Sequence, residues 1–253
     1  MGMVQNKTIL VTGGASGVGQ ATAILLASEG AHVVIADLAD HGGAETMKLI
    51  SSAGGSAEAH QLDVSDYDQM RDLIAQIAKL HGSLDGAFNN AGVAGPVARI
   101  SKLGTDDWDQ VIRVNLTGIF AGVKCEVEQM LLQETGGSIV NTASTCGLVG
   151  MYGQTAYNAS KHGVVGITRT VALEYAKKNI RVNTVCPGFT ETPMLTMRTD
   201  VDPSLSDYFD NHVPMGRKGQ ASEIAEAAMW LLSDRSSYVT GVALPIDGGY
   251  TAG

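Results

Sequence analysis

The sequence predicts a single α/β domain over residues 1–253, built as a Rossmann-like, doubly wound parallel sheet of about seven strands with helices on both faces. Short β-branched runs alternate with segments of helical periodicity, which is typical of βαβ units. Right-handed crossovers between parallel strands then place helices on both faces of the sheet. The length suits one large domain, and no linker-like or repeated segment divides the chain.

Most of the predicted strands are short runs of β-branched or small apolar residues. Between the first six runs, apolar residues recur with helical spacing, most clearly over 19–30 and 66–82. The stretch 189–216 breaks this rhythm by mixing prolines and acidic residues with large apolar ones, and we expect it to be a lid insertion over a substrate site. The predicted strands are 7–12, 31–36, 56–62, 84–89, 137–142, 180–185 and 242–246.

The charge balance indicates a small-molecule partner. Seventeen basic and 26 acidic residues give a net charge of −9, which argues against non-specific binding to DNA, RNA or anionic lipid. No apolar run reaches the ~20 residues of a membrane span. The first residues lack the charged leader and apolar core of a secretory signal. We therefore expect a soluble, cytoplasmic protein.

The cysteine and histidine patterns indicate neither a disulfide framework nor a catalytic metal. Cys125, Cys146 and Cys186 are odd in number and widely spaced, without a CxxC pair. The six histidines form no HxxH or HExxH spacing. We expect no metal to take part in the reaction.

The segment TGGASGVG, residues 12–19, follows the first predicted strand and begins the first predicted helix. Gly13, Gly17 and Gly19 can bring the backbone close to a ligand, and a helix N-terminus offers unpaired N–H groups to a pyrophosphate. The spacing is GxxxGxG rather than the longer Rossmann GxGxxG, and a glycine-rich turn without a ligand is the alternative. We assign this loop, including Ser16 and Val18, to dinucleotide binding.

The second predicted strand ends in Asp37, 18 residues after Gly19. A carboxylate there can accept both hydroxyls of an adenosine ribose and would repel a 2′-phosphate. Neither Leu38 nor Ser16 offers a cation to such a phosphate. The pattern favours NAD over NADP, although Asp37 also fits an ordinary solvated residue after a strand.

Tyr157 and Lys161 stand four residues apart in a segment with helical spacing, so both side chains lie on one helix face. A free tyrosine has a pKa of about 10, and acid–base work at neutral pH needs a drop of about three units. A lysine charge in a partly dry cleft, helped by a positively charged nicotinamide ring, can supply that drop. The spacing alone also fits a surface pair. Ser144 favours catalysis, because it follows a predicted strand at the sheet edge where ligands bind.

Together these residues resemble the short-chain dehydrogenase/reductase family in its one-domain form. The resemblance covers nearly the whole chain, and its motifs occur in the family's order. They are TGGASGVG at 12–19, Asp37, DV at 63–64, NNAG at 89–92, Asn115, Ser144, YNASK at 157–161, PG at 187–188 and VTGVALPIDGG at 239–249.

The resemblance implies roles for four residues in moving a hydride to or from C4 of nicotinamide. Tyr157 would be the general acid/base at the carbinol or carbonyl oxygen, and Lys161 would lower its pKa and hold the nicotinamide ribose. Ser144 would orient the substrate oxygen. Asn115 would help to relay protons through a water beside Lys161. A proton donor and a second hydrogen bond at the reacting oxygen lower the barrier.

The resemblance also implies cofactor contacts after the later strands. Thr192 would reach the carboxamide of nicotinamide, with Thr190 as the competing residue. Asn89 fits a structural role at least as well as a functional one. The remaining expected contacts are Asp63 and Val64 beside adenine, Asn90, Ala91 and Gly92 along the cofactor, and Pro187 and Gly188 beside nicotinamide.

The residues expected around the substrate are mostly apolar and include no arginine cluster for a carboxylate or phosphate. They favour a neutral secondary alcohol and its ketone, alicyclic or aromatic. The expected substrate contacts are Ser144, Met151, Gln154 and Tyr157, with further walls from Val93, Ala94, Gly95, Leu148, Met194, Leu195, Met197, Tyr208 and Phe209.

Two other functions fit the same scaffold. A 3-oxoacyl carrier-protein reductase would prefer NADPH and need a basic docking surface. A non-catalytic dinucleotide-sensing protein would have no need to retain Ser144, Tyr157 and Lys161 together.

The helical segment 108–131 carries more apolar residues than one sheet face needs. The family resemblance implies that this helix and the Tyr157 helix form subunit contacts, so we expect a homotetramer. A buried core helix is the alternative.

Overall fold

Seven parallel strands form the central sheet of a computed structural model, which describes residues 2–38, 42–133, 135–201 and 211–253. The strands are β1 (Thr8–Thr12), β2 (His32–Asp37), β3 (Ser56–Gln61), β4 (Gly86–Asn89), β5 (Gly137–Thr142), β6 (Ile180–Pro187), the short pair β7 (Thr190–Glu191) and β8 (Gly219–Gln220), and β9 (Ala243–Ile246). Their order in the main sheet is β3-β2-β1-β4-β5-β6-β9, while β7 and β8 pair only with each other. All seven predicted strands are confirmed, and so is the fold class.

Helices cover both faces of the sheet, as predicted. Strand residues alternate between the two faces, so that Leu10 joins one apolar cluster while its neighbours Ile9 and Val11 join the other. Within the described part of the chain, no helix has the length and hydropathy of a membrane span. The described helices are α1 (Gly17–Ser28), α2 (Gly42–Ser52), α3 (Tyr67–His81), α4 (Thr105–Ile112), α5 (Gly118–Leu132), α6 (Thr155–Tyr175), α7 (Pro193–Val201) and α8 (Ala221–Leu232).

The ends of α3 are determined by its own sequence. The Asp66 side chain accepts hydrogen bonds from the backbone N–H groups of Asp68 and Gln69, which caps the first turn. Gly82 ends the helix in the left-handed conformation, with φ of 84°. Between these caps, the apolar residues Met70, Leu73, Ile74 and Ile77 are buried against the sheet. The predicted helix over 66–82 is confirmed.

A chain of polar side chains crosses the core between the sheet and two helices. Asn89 donates to both Glu126, at 2.9 Å, and Asn141, at 3.1 Å. Asn141 donates in turn to Thr168, which accepts a second bond from Thr184. Burial raises the pKa of Glu126 to about 8, against the opposing hydrogen bond from Asn89. Asn89 therefore has a structural role, which is one of the two roles that the sequence analysis considered for it.

The expected lid insertion, 189–216, contains β7 and α7. Residues 202–210, which include Tyr208 and Phe209, lie outside the described residues. The part that is described begins directly after β6, at the carboxyl edge of the sheet.

Candidate active site

A cleft of about 450 Å³ lies where the carboxyl ends of the central strands meet. Its volume is in the range of small-molecule sites. The strand order reverses between β1 and β4, and residues that follow both strands line the cleft. Open α/β sheets bind their ligands at such a switch point.

The glycine-rich loop after β1 forms one wall of this cleft. Gly13 and Gly17 have positive φ angles of 65° and 55°, which side chains disfavour. A Cβ atom on Gly13 would lie 2.8 Å from Cα of Ala91, and one on Gly19 would lie 2.0 Å from the Gly13 carbonyl oxygen. Glycine at these positions therefore lets the loop pack closely on the segment after β4 and on its own helix.

The N-terminus of α1 faces the same cleft and can bind an anion. Its N-cap residue, Ser16, makes no side-chain capping hydrogen bond, and the first turn contains no acidic residue. Ser16, Gly17 and Val18 all line the cleft. First-turn N–H groups that no side chain caps, together with the positive end of the helix dipole, fit the pyrophosphate of a dinucleotide.

Asp37 ends β2 beside this loop. One of its carboxylate oxygens accepts a 3.0 Å hydrogen bond from the Ala15 N–H, which ties the carboxylate to the glycine-rich loop. Asp37 and Leu38 both line the cleft. Among the described residues that do so, the basic side chains are Arg113 and Lys161. Arg113 donates to the Ser65 hydroxyl at 2.6 Å, so its cation lies beside the loop after β3.

Tyr157 and Lys161 lie on one face of α6 and both line the cleft. Nζ of Lys161 is 5.5 Å from the centroid of the Tyr157 ring. Only 3% of the lysine surface is exposed, and its ammonium donates a 2.8 Å hydrogen bond to the Thr142 carbonyl at the end of β5. The sheet thus holds the cation next to the phenol.

Burial lowers the pKa of Lys161 to about 8, against a smaller opposing influence of Cys146 and Cys186. At pH 7 the side chain is therefore still mostly protonated. A charge in such a dry position is screened less than a surface charge, so it acts more strongly on its neighbours.

Ser144 follows β5 and is half-buried in the cleft. Its hydroxyl oxygen accepts a 3.2 Å hydrogen bond from the Cys146 N–H. Because a serine hydroxyl carries one proton and accepts through its lone pairs, this contact leaves the proton to be donated elsewhere. Ser144 can therefore donate to an oxygen bound in the cleft.

Asn115 lies in a π-helical turn, Arg113–Thr117, between α4 and α5 and is fully buried. Its side-chain oxygen accepts from the Val93 N–H and its amide donates to the Val93 carbonyl, both at 2.8 Å. These contacts hold the segment after β4 in place. Asn115 does not itself line the cleft. Its part in a proton relay remains a prediction.

The structure brings most of the predicted site residues together. Gly19, Asn115 and Gln154 are the exceptions, because all three are buried behind the cleft wall. The predicted residues that line the cleft are Gly13, Ser16, Gly17, Val18, Asp37, Leu38, Asp63, Val64, Asn90, Ala91, Gly92, Ser144, Met151, Tyr157, Lys161, Pro187, Gly188, Thr190 and Thr192.

The expected substrate walls are found in part. Of the further apolar residues, Gly95, Leu148 and Met197 do not line the cleft, and Tyr208 and Phe209 lie outside the described residues. Those that do line it are Val93, Ala94, Met151, Met194 and Leu195.

Sequence reasoning missed several cleft residues. Three of them lie at strand ends next to motif residues: Leu62, Thr142 and Ala143. Their place at the carboxyl ends of predicted strands could have identified them. Others come from α4 and the π-helical turn, whose sequence contains no ligand motif apart from Asn115; they are Gln110, Arg113 and Val114.

Comparison with known proteins identifies the family. A family model described as enoyl-(acyl carrier protein) reductase matches residues 13–251. The crystal structure of a short-chain type dehydrogenase/reductase from Mycobacterium marinum matches with a TM-score of 0.93 and 30% identity, over 99% of this chain and 97% of that chain. The chain belongs to the short-chain dehydrogenase/reductase family. The resemblance seen in the sequence motifs is confirmed, and the chain is an oxidoreductase of this family.

Three curated relatives in this family match over nearly the full chain. A 2,5-dichloro-2,5-cyclohexadiene-1,4-diol dehydrogenase of Sphingobium indicum is 41% identical, with 100% of both chains covered. A 3-oxoacyl-[acyl-carrier-protein] reductase of Thermotoga maritima is 41% identical, covering 97% of this chain and 98% of the relative. A cyclohexanol dehydrogenase of an Acinetobacter strain is 39% identical, covering 98% of this chain and 96% of the relative.

Solved structures of the family contain either nicotinamide cofactor. Carveol dehydrogenase from Mycobacterium avium, in complex with NAD, has a TM-score of 0.95 and 31% identity, with 100% of both chains covered. A putative 2-deoxy-D-gluconate 3-dehydrogenase from Agrobacterium tumefaciens, with bound NADP, has a TM-score of 0.91 and 34% identity. The match covers 99% of this chain and 98% of that chain. Family membership therefore implies a nicotinamide cofactor without choosing between NAD and NADP.

Proposed function

We propose that this short-chain dehydrogenase/reductase interconverts a neutral, ring-bearing secondary alcohol and its ketone with NAD as cofactor. The observation that carries the proposal is the arrangement of three side chains in one cleft. The Tyr157 phenol lies beside the buried Lys161 ammonium, and Ser144 accepts from the backbone so that its proton can be donated. Such a set can bind an oxygen atom and exchange a proton with it.

In the reductive direction, the Ser144 hydroxyl donates a hydrogen bond to the substrate carbonyl oxygen. Tyr157 gives its proton to the same oxygen as negative charge develops there. The Lys161 ammonium stabilises the phenolate that remains. A bound nicotinamide supplies or accepts the hydride, chemistry that belongs to the cofactor. In the oxidative direction, the Tyr157 phenolate accepts the alcohol proton and Ser144 keeps its contact with the oxygen.

The cleft offers suitable contacts for the cofactor. The first turn of α1 would hold the pyrophosphate, and Asp37 would accept the hydroxyls of the adenosine ribose. The NAD preference is supported by that carboxylate and by Leu38, which stands beside it where a 2′-phosphate would need a cation. Arg113, the basic side chain besides Lys161 among the described cleft residues, instead donates to the Ser65 hydroxyl and pairs with Asp63.

The substrate class is proposed from the apolar wall of the cleft. Val93, Met151, Met194 and Leu195 line it, and the last two belong to α7 in the insertion 189–216, which we propose to be the lid. Apolar side chains around one polar reacting group suit a neutral ring with a single hydroxyl or carbonyl. Cyclohexanol dehydrogenase and the dichlorocyclohexadienediol dehydrogenase, both close in sequence, support the same class.

A carrier-linked 3-oxoacyl reductase is the second candidate, favoured by the 41% identity to the Thermotoga maritima reductase. It requires a basic docking surface, whereas the chain has a net charge of −9. The experiment that separates the candidates follows NADH and NADPH absorbance with cyclohexanone-type ketones, aromatic ketones and a 3-oxoacyl thioester. We expect the highest kcat/KM for a cyclic ketone with NADH.

The opposite outcomes of this assay are equally informative. The highest kcat/KM for the thioester with NADPH would replace the proposal with the second candidate. Dinucleotide binding without turnover of any substrate would support a sensing protein. The reverse reaction, with the corresponding alcohols and NAD, is the control, because an unfavourable equilibrium can hide activity in one direction.

We also propose a homotetramer assembled through α5 and α6. The inner face of α5 is buried in the core, but Phe120 on that helix is 52% exposed and Leu173 on α6 is 85% exposed. Light scattering coupled to gel filtration should give four times the chain mass. Phe120→Glu and Leu173→Glu should reduce that mass, whereas Leu80→Glu, at an exposed apolar position on α3, should not. A monomeric wild type would rule the proposal out.

A further inference from the structure

Two histidines and a glutamate come together at the outer side of the sheet. His32 is the first residue of β2, Glu58 lies in β3, and His81 is the last residue of α3. One nitrogen or oxygen atom from each of these side chains lies within 4.8 Å of the others. All three residues are half-buried.

The sheet register and the length of α3 build this cluster. β2 and β3 are parallel and place His32 opposite Ser56 and Val34 opposite Glu58. Alternation along the strands then directs His32 and Glu58 to the same sheet face. α3 packs on that face and ends at His81, whose ring centroid lies 4.2 Å from that of His32.

Contacts with neighbouring side chains hold the three residues in place. Nδ1 of His32 lies 2.7 Å from the Ser56 hydroxyl, which fixes the ring and leaves Nε2 for another partner. Among the described residues, none forms a hydrogen bond with this buried Nε2. Nε2 of His81 is 3.3 Å from a Glu58 oxygen, and Nε2 of His60 is 3.1 Å from the same oxygen. An outer hydrogen bond that orients a histidine is usual at metal sites.

We infer that His32, Glu58 and His81 form a binding site for a divalent transition metal, with Zn²⁺ as the best fit. Two imidazole nitrogens and one carboxylate oxygen are ligands that Zn²⁺ accepts, and a water can complete four-coordination. Zn–ligand bonds of 2.0–2.1 Å place tetrahedral ligand atoms roughly 3.4 Å apart. The most distant ligand atoms therefore approach each other by up to about 1.4 Å on binding, a change that side-chain rotation can supply.

The metal would act on stability rather than on the reaction. His32 begins its strand, whereas the cleft lies at the carboxyl ends of the strands, so the two sites are at opposite edges of the sheet. The site joins edge strand β3 to β2 and α3. Because its ligands come from three separate elements, no histidine spacing in the sequence could reveal it. A structural metal ion at this site is compatible with the expectation that no metal takes part in the reaction.

The test uses the full chain, stripped of metal with a chelator and titrated with Zn²⁺ by calorimetry. We expect one zinc ion per chain, and a rise in Tm of about 5–10 °C at a hundredfold excess over Kd. His32→Ala, Glu58→Gln and His81→Ala should each weaken binding at least about tenfold. His162→Ala removes an exposed histidine on α6 and should leave the affinity unchanged. Mg²⁺, which prefers all-oxygen ligands, should not raise Tm.

Three results would overturn the inference. The first is a wild type without saturable zinc binding, a result that needs no variant to fold. The second is zinc binding that survives intact in folded His32→Ala and His81→Ala chains, as judged by circular dichroism. The third is a loss of NADH-dependent turnover on removal of zinc, which would contradict a site remote from the cleft.

Discussion

Nζ of Lys161 lies 5.5 Å from the centroid of the Tyr157 ring, one helical turn away and on the same side of α6. At an effective dielectric constant of about 20, two charges at this distance interact by about 3 kcal/mol. The ammonium is held there by its hydrogen bond to the Thr142 carbonyl, and no acidic side chain in the described part of the chain forms an ion pair with it. Because Lys161 also lines the cleft, its charge can stabilise a phenolate there.

Tyr157→Phe should lower kcat at least 100-fold with little change in NADH affinity. The substitution removes only the hydroxyl, so the proton donor is lost while the ring still packs in the cleft. Stopped-flow turnover and fluorescence titration with NADH measure the two effects separately. Tyr152→Phe is the matched control, because Tyr152 is 74% exposed and does not line the cleft. Near-normal turnover in Tyr157→Phe would refute the mechanism.

Lys161→Met should abolish turnover and yet stabilise the cofactor-free protein. Burial lowers the pKa of Lys161 from 10.5 to about 8, so the folded state binds this proton less tightly than the unfolded chain does. Protonated lysine therefore destabilises the fold below pH 8, and this effect disappears as the pH rises from about 8 to 10.5. We expect Lys161→Met to gain about 1–2 kcal/mol at pH 7, because the loss of the bond to Thr142 offsets part of the benefit.

Urea unfolding at pH 7 and pH 10 measures this effect as a difference between wild type and variant. The increase in the free energy of unfolding that Lys161→Met gives over wild type should be smaller at pH 10, where the wild-type lysine is neutral in the folded state. Lys177→Met, on the surface near the end of α6, is the control and should show no such trend. An equal gain at both pH values would contradict a buried ammonium.

The sheet could be predicted from sequence because most of its strands are short apolar runs and the segments between them have helical periodicity. The prediction for β6 ended at residue 185, whereas the strand extends to Pro187, which pairs with β9. Proline is permitted at this strand end, but its lack of an N–H makes it a poor predictor of a strand. The π-helical turn that contains Asn115 was also beyond prediction, since local propensity does not distinguish it from an α-helix.

The site could be predicted where a motif fixes both backbone and chemistry, as at Gly13, Asp37 and Lys161. Positions that depend on tertiary packing could not. Gln154 was expected to contact substrate, but it is 3% exposed and forms the N-cap of α6 behind the wall. Arg113 reaches the cleft only because the turn between α4 and α5 passes over the loop after β3.

Asp37→Asn should shift cofactor preference toward NADP by about tenfold in the ratio of kcat/KM values. The amide oxygen can still accept from the Ala15 N–H, so the loop stays in place while the charge that repels a 2′-phosphate is removed. Adding Leu38→Arg should increase the shift, because it supplies a cation to the phosphate. Leu38→Ala is the control for loss of the leucine alone. A wild type that already prefers NADPH would contradict the assignment of Asp37.

Glu126→Gln should make the protein more stable at alkaline pH without affecting the cleft chemistry. Burial raises the pKa of Glu126 from 4.5 to about 8, so the folded state holds this proton more tightly than the unfolded chain. Its contribution to stability is greatest below pH 4.5 and is lost as the pH rises from 4.5 to 8. Glutamine keeps an oxygen for the Asn89 amide and never ionises, so it should escape this loss.

We expect Glu126→Gln and wild type to agree within about 1 kcal/mol at pH 5, and the variant to be more stable by about 2–4 kcal/mol at pH 8. Unfolding in urea at both pH values measures the two differences. Glu128→Gln, on the exposed side of α5, should give a difference that does not depend on pH, since a surface ion pair contributes little. If Glu126→Gln instead lost stability equally at both pH values, the assignment of Glu126 as a buried group whose ionisation destabilises the fold would be wrong.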